Sequence, residues 1–128
     1  SEMCIRDRNE SIDIGQIEGG FVQGLGWLTC EELCFSQEGK LLTTGPSTYK
    51  LPGSRDIPKV FNVKLLENAD NEEKTIFRSK AVGEPPLLLA ISQFLALKEA
   101  IKASSEGSKP ELLNSPATPS EILRVLKA

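Results

Sequence analysis

Ser79-Lys80-Ala81-Val82-Gly83-Glu84-Pro85-Pro86 sets a single carboxylate at a Gly/Pro corner, just before the most apolar helical run of the chain, Leu87 to Ala103. Gly83 permits a close backbone approach or an unusual φ. Pro85 and Pro86 have a fixed φ and no N–H, which suits the first turn of a helix. The pattern therefore predicts a helix opening at this corner, with Glu84 at its positive end, where the dipole favours a carboxylate. An ionised carboxylate on rigid backbone is what a general base requires. An acidic residue is also common at a helix start with no chemistry attached, and the corner alone leaves both readings open. The run after it is apolar all round in its first turn, which predicts a buried end, and turns amphipathic later, with Lys102 near the negative pole.

Working back from the corner, Gln16 to Cys34 carries the other helical pattern. Ile17, Phe21, Leu25 and Leu28 line one face, and Gln16, Gly20, Gln23 and Trp27 a neighbouring one. The run holds Gly19, Gly20, Gly24 and Gly26, each costing a helix about 1 kcal/mol against Ala. Such a pattern implies close approach by a backbone or a ligand. Two amides on a glycine-lined face suit a polar, heteroatom-rich ligand, and tight packing against another helix accounts for the pattern as well. Asp13 is the predicted N-cap, preceded by a short extended segment at Ser11–Gly15 and a loose lead.

Between the two helices the pattern turns to strands and loops. Phe35–Thr44 reads as a hairpin turning at Gln37-Glu38-Gly39, Val60–Leu66 as a strand with Phe61, Val63 and Leu65 on one face, and Thr75–Arg78 as a short strand. Gly45–Ser54 is an irregular loop, of a kind that can line a site. Beyond the second helix, Thr118, Pro119 and Glu121 form the start of a short final helix, with Thr118 as N-cap and Glu121 placed for a capping box. The expected fold class is α+β: two main helices plus a short C-terminal helix with a few mostly antiparallel strands.

Composition narrows the function. Net charge is −3 with scattered Lys and Arg, which gives no electrostatic footprint for nucleic acid. No apolar run approaches the roughly 20 residues that span a bilayer, and residues 1–8 lack the apolar core of a signal peptide. The chain has no histidine, which removes Ser-His-Asp and Cys-His catalysis and the commonest metal ligand. Cys4, Cys30 and Cys34 include no C-x-x-C pair, so neither a disulfide framework nor a zinc site is expected. Cys30 and Cys34, four apart, read as buried thiols one helical turn from each other, and a reduced, cytoplasmic setting fits.

Three stretches resemble, in order and spacing, the C-terminal part of the molybdenum-binding region of the xanthine dehydrogenase/aldehyde oxidase family. They are Asp13 to Gly26, Gly45-Pro46-Ser47-Thr48-Tyr49-Lys50, and Ser79 to Pro86; Ser115 to Pro119 is similar as well. The resemblance covers roughly residues 9 to 127 and leans towards the separate large subunit of bacterial members. It implies that residues 9–128 are an incomplete C-terminal portion of the molybdopterin-binding domain, with 1–8 a non-native or disordered lead.

By the resemblance, Glu84 is the general base that deprotonates a hydroxide on molybdenum, which then attacks an electron-poor carbon of a purine, hypoxanthine or xanthine. Gln16 contacts the molybdenum–pyranopterin cofactor, and Gly83 lies beside the metal, which the cofactor's dithiolene holds without protein ligands. Gln23 and Lys80 lie in matching motifs without an assigned role. The resemblance further implies 2Fe-2S clusters and FAD elsewhere in the enzyme, an iron–sulfur/FAD subunit or domain, and a dimer. The chain alone is then expected to be inactive and to expose apolar surface, above all on the glycine-rich helix. Other readings are an aldehyde oxidase or related hydroxylase, a non-catalytic binding module that keeps the scaffold, and an incomplete piece of a gene.

Overall fold

The computed structural model describes residues 9–66, 72–76, 83–104 and 107–128. The chain order is α1 (Glu10–Thr29), a 3₁₀ segment (Pro85–Ala90), α2 (Ile91–Ser104), a 3₁₀ turn (Pro110–Leu112) and α3 (Pro119–Leu126). Helix α1 begins earlier than its apolar spacing predicts, because Asn9 rather than Asp13 caps it. The Asn9 side chain accepts from the Ile12 amide at 3.2 Å, and Glu10 and Asp13 sit in the first turn, where acidic groups suit the dipole. The helix also ends sooner than predicted. The amides of Cys30 and Glu31 both donate to the Gly26 carbonyl, at 3.0 and 2.9 Å, and close it. Cys30 and Cys34 therefore do not share a helical turn: Cys30 is half-buried and Cys34 exposed, and both thiols are free.

The second predicted helix opens where Pro85 and Pro86 indicate, but tightly wound. Neither proline has an N–H to donate, and the first amide to return, Leu87, donates to the Glu84 carbonyl at 2.9 Å, a three-residue step. From Ile91 the chain is α-helical. Pro86 and Ala90 are buried, while Leu88 is 66% and Leu89 57% exposed. The apolar opening of this helix is thus not the buried end that its composition predicts.

The α+β expectation is wrong. Among the described residues there is no strand, only an isolated antiparallel bridge between Phe35 and Leu41. The predicted turn is present, with Gly39 at φ +80 and the Ser36 amide bonded to the Lys40 carbonyl at 2.8 Å. It does not lengthen into a ladder because Leu33, Phe35 and Leu42 all face solvent, and an isolated hairpin with no core beneath it is marginal. Residues 60–66 alternate between exposed and half-buried as the pattern predicts, without a paired strand. That alternation comes from one-sided packing: the Phe61 ring lies 5.2 Å from that of Phe21, tilted by 49°. Of the strand predicted over 75–78, Thr75 and Ile76 are not in one, and 77–78 lie outside the described residues.

The side-chain core lies at the C-terminal end, where Ile101 of α2, Leu113, Ala117 and Val125 of α3 pack with Phe94, Leu97 and Ile122. The Ala117 amide donates to the Leu28 carbonyl at 2.7 Å and ties this unit to the end of α1. Thr118 caps α3 as predicted, accepting from the Glu121 amide at 3.3 Å. The capping box is only half formed, since Glu121 turns to the Arg124 guanidinium at 2.7 Å and the Asn114 amide at 2.9 Å. The Arg124 partner, first, and the Asn114 amide lower the Glu121 pKa to about 2. No described helix is long and apolar enough to cross a membrane.

Candidate functional site

Helix α1 receives the corner segment on its glycines. A Cβ on Gly20 would lie 2.8 Å from the Gly83 carbonyl oxygen and 3.2 Å from Pro86 Cβ. A Cβ on Gly24 would collide with the Leu87 carbonyl oxygen and come within 2.8 Å of Ala90 Cβ. Both glycines are buried, and the contact is backbone against backbone. For Gly20 and Gly24 the packing alternative therefore holds, which leaves the amides: Gln16 and Gln23 are both exposed.

Gly83 differs from these two. Its φ is not in the left-handed region, since Gly39 and Gly107 are the positive-φ glycines among the described residues. A Cβ built on Gly83 would meet only Gln16 Oε1, at 3.6 Å, an ordinary contact. Neither backbone conformation nor crowding within this chain requires glycine there. The missing side chain instead leaves space between the Gln16 amide and the corner.

Glu84 follows in the α-region, at φ −69 and ψ −32, as the residue before the 3₁₀ segment. Its side chain is exposed and makes no capping hydrogen bond, so both carboxylate oxygens are available. Gln23, Trp27, Gly83, Glu84, Pro85, Leu87 and Leu88 line one open cleft of about 750 Å³. A second cleft, of about 600 Å³, lies along Ile17, Phe21, Phe61, Pro86 and Leu89, and Pro85 borders both. The structure thus brings Gly83 against Gln16 and sets Gln23 on the same cleft as Glu84; Lys80 lies outside the described residues.

Trp27 and Leu88 are cleft residues that the sequence reading did not single out. The spacing of Gln16, Gly20, Gln23 and Trp27 on one face was the signal for Trp27; for Leu88, buried by expectation, there was none. No group of three His, Cys, Asp or Glu that could hold a metal ion occurs among the described residues.

The Gly45–Lys50 motif does not join this cleft. Thr48 Oγ1 accepts from the Thr44 and Gly45 amides, at 3.2 and 3.4 Å. Tyr49 Oη donates to Glu31 Oε2 at 2.6 Å, which raises the Tyr49 pKa and fastens the loop beyond the end of α1. Asp56 accepts from the Gly53 amide and from Lys50, at 2.7 and 3.0 Å, and both hold its pKa low. Gly45, Pro46, Tyr49 and Leu51 border a separate hollow of about 270 Å³.

Residues 6–58 match the family model described as a molybdopterin cofactor-binding domain. The chain is 56% identical over 120 residues to the xanthine dehydrogenase/oxidase of Felis catus, a match covering 89% of this chain and 9% of that protein. It is 55% identical over 117 residues to the xanthine dehydrogenase/oxidase of Gallus gallus, of which it spans 8%. With xanthine dehydrogenase 2 of Arabidopsis thaliana it shares 52% identity over 124 residues, again 9% of the relative's length. In structure it resembles quinoline 2-oxidoreductase from Pseudomonas putida 86, with a TM-score of 0.70 and 26% identity over 93% of this chain and 14% of that one.

Proposed function

Since this chain belongs to the xanthine dehydrogenase/oxidase family, we propose that it is the C-terminal portion of the molybdopterin-binding domain of a molybdenum hydroxylase, with Glu84 as general base. Its substrate in that reading is a purine, hypoxanthine or xanthine. Identities of 50 to 56% to xanthine dehydrogenases, against 26% to the quinoline enzyme, favour a purine over other electron-poor heterocycles. The rest of the catalytic domain, the 2Fe-2S clusters and FAD belong to the remaining length of the enzyme.

The residues present fit a pyranopterin. The amide of Gln16 carries both donor and acceptor atoms, which suits a ring system rich in nitrogen and oxygen. A Cβ on Gly83 would fill the space next to that amide, and its absence leaves room for a flat group. Because no described residues form a metal cluster, a group that brings its own sulfur ligands is compatible with this donor set. Gln16 and Gly83 would hold it, and it would supply the acceptor for the two electrons lost by the purine.

This chain's own task is then the proton. The Glu84 carboxylate, exposed on the cleft with no competing hydrogen bond, accepts a proton from the oxygen nucleophile as that oxygen attacks the ring carbon. The 3₁₀ segment begins at the next residue, Pro85, and fixes the base on a short rigid arm. The observation that carries the reading is that Gly83, adjacent to the base, lies against Gln16. In the complete enzyme, Glu84→Gln with molybdenum content retained should lower turnover by about 10² to 10⁴. Near-parental turnover would remove the role.

A further inference from the structure

Gly20 touches the corner more intimately than Gln16 does. The Gly83 carbonyl oxygen lies 2.8 Å from where a Cβ on Gly20 would stand, and Pro86 Cβ 3.2 Å from it, so residues on both sides of Glu84 rest on this one position. Elsewhere on α1, Gly15 and Gly19 have nothing within 4 Å of the equivalent point. Gly20 follows Gln16 by one helical turn, so the two share a face. Helix α1 therefore holds the residue before Glu84 twice, by a backbone seat and by an amide.

We infer that Gly20 is a positioning residue for the proton transfer: it sets how deep the corner rests on α1, and so how far the Glu84 carboxylate reaches into the cleft. The inference rests on reading Glu84 as the general base. A methyl group at position 20 would drive the Gly83 carbonyl from 2.8 Å out to at least the 3.4 Å of ordinary contact. Backbone cannot rotate aside as a flexible side chain would, and packed interiors pass such strain on. Catalytic geometry tolerates little of this, since a displacement of about 1 Å can cost about 10²-fold in rate.

The test is Gly20→Ala beside Gly19→Ala in the complete enzyme. We expect Gly20→Ala to lower kcat per bound molybdenum by about 10- to 100-fold with KM for the purine little changed. Amide exchange at Leu87, which donates to the Glu84 carbonyl, should speed up in the same variant. Gly19→Ala should leave both as they are. A purely structural role would reduce the amount of loaded enzyme and spare kcat per molybdenum. Parental kcat per molybdenum with unchanged Leu87 exchange overturns the inference.

If Gly20→Ala does not fold, Gly20→Ala combined with Pro86→Gly removes the second contact and loosens the segment. In that background a kcat loss at retained molybdenum supports the inference, and parental kcat refutes it. Glu84→Gln runs in parallel. If Glu84→Gln is near-parental, the base assignment falls; if it is crippled while Gly20→Ala is not, only the positioning role falls.

Discussion

The two ends of the molecule are held together by different means. At the C-terminal end, Ile101, Leu113, Ala117 and Val125 are 1 to 4% exposed and interlock through side chains. At the corner, the contact is glycine against backbone, and the leucines beside it point outward: Leu88 and Leu89 are more than half exposed, as is Leu95, with Ile91 at half. The first region satisfies itself. The second is placed with care yet left open, and its placement rests on residues without side chains. Removing a side chain should therefore hurt the first region, and adding one should hurt the second.

The largest stability effect belongs to the core. Ile101→Ala should cost about 2 to 5 kcal/mol, by lost burial and the cavity left behind, read as lost amide protection across α2 and α3. Leu88→Ala, with its side chain already in solvent, should change stability by less than about 0.5 kcal/mol. Equal losses at the two positions would abolish the contrast.

Gly24→Ala comes next. Its new methyl meets the Leu87 carbonyl and Ala90, and overpacking of that kind costs about 1 to 3 kcal/mol, against about 1 kcal/mol gained in helix propensity. A net loss, seen as a lower melting temperature, is expected. A variant more stable than the parent would mean that the seam gives way.

Smaller again is the acid response of α3. Glu121 has its pKa lowered to about 2 by Arg124 and the Asn114 amide. Its contribution is thus complete above the ordinary carboxylate range and is lost as pH falls through that range towards 2. Exchange of the Asn114 amide should accelerate over that window, and Glu121→Gln should remove the response. The smallest effect is at Gly19, where open space and a gain in helix propensity predict stabilisation of up to about 1 kcal/mol on Gly19→Ala.

The contrast also explains what the sequence could show. The start of α3 was legible because Thr118 and Pro119 act locally, and the corner because Pro85 and Pro86 dictate their own backbone. The glycines announced close packing without naming the partner, since the partner is carbonyl oxygen, which every residue has. The strands were misread because alternation reports one-sided burial, and here Phe61 finds an aromatic ring on α1 rather than a neighbouring strand. Leu88 and Leu89 were misread because an apolar side chain states a preference for burial, and nothing described in this chain covers them. The role of Glu84 came from the resemblance; its residues alone left a base and a helix start equally open.

The central claim is that the solvent-facing carboxylate at this corner takes the proton. The most direct measurement is turnover of purine by the complete enzyme carrying Glu84→Gln, per bound molybdenum and across pH. The account predicts a loss of about 10² to 10⁴ with cofactor content intact. Turnover within a few fold of the parent, at equal molybdenum, would contradict it.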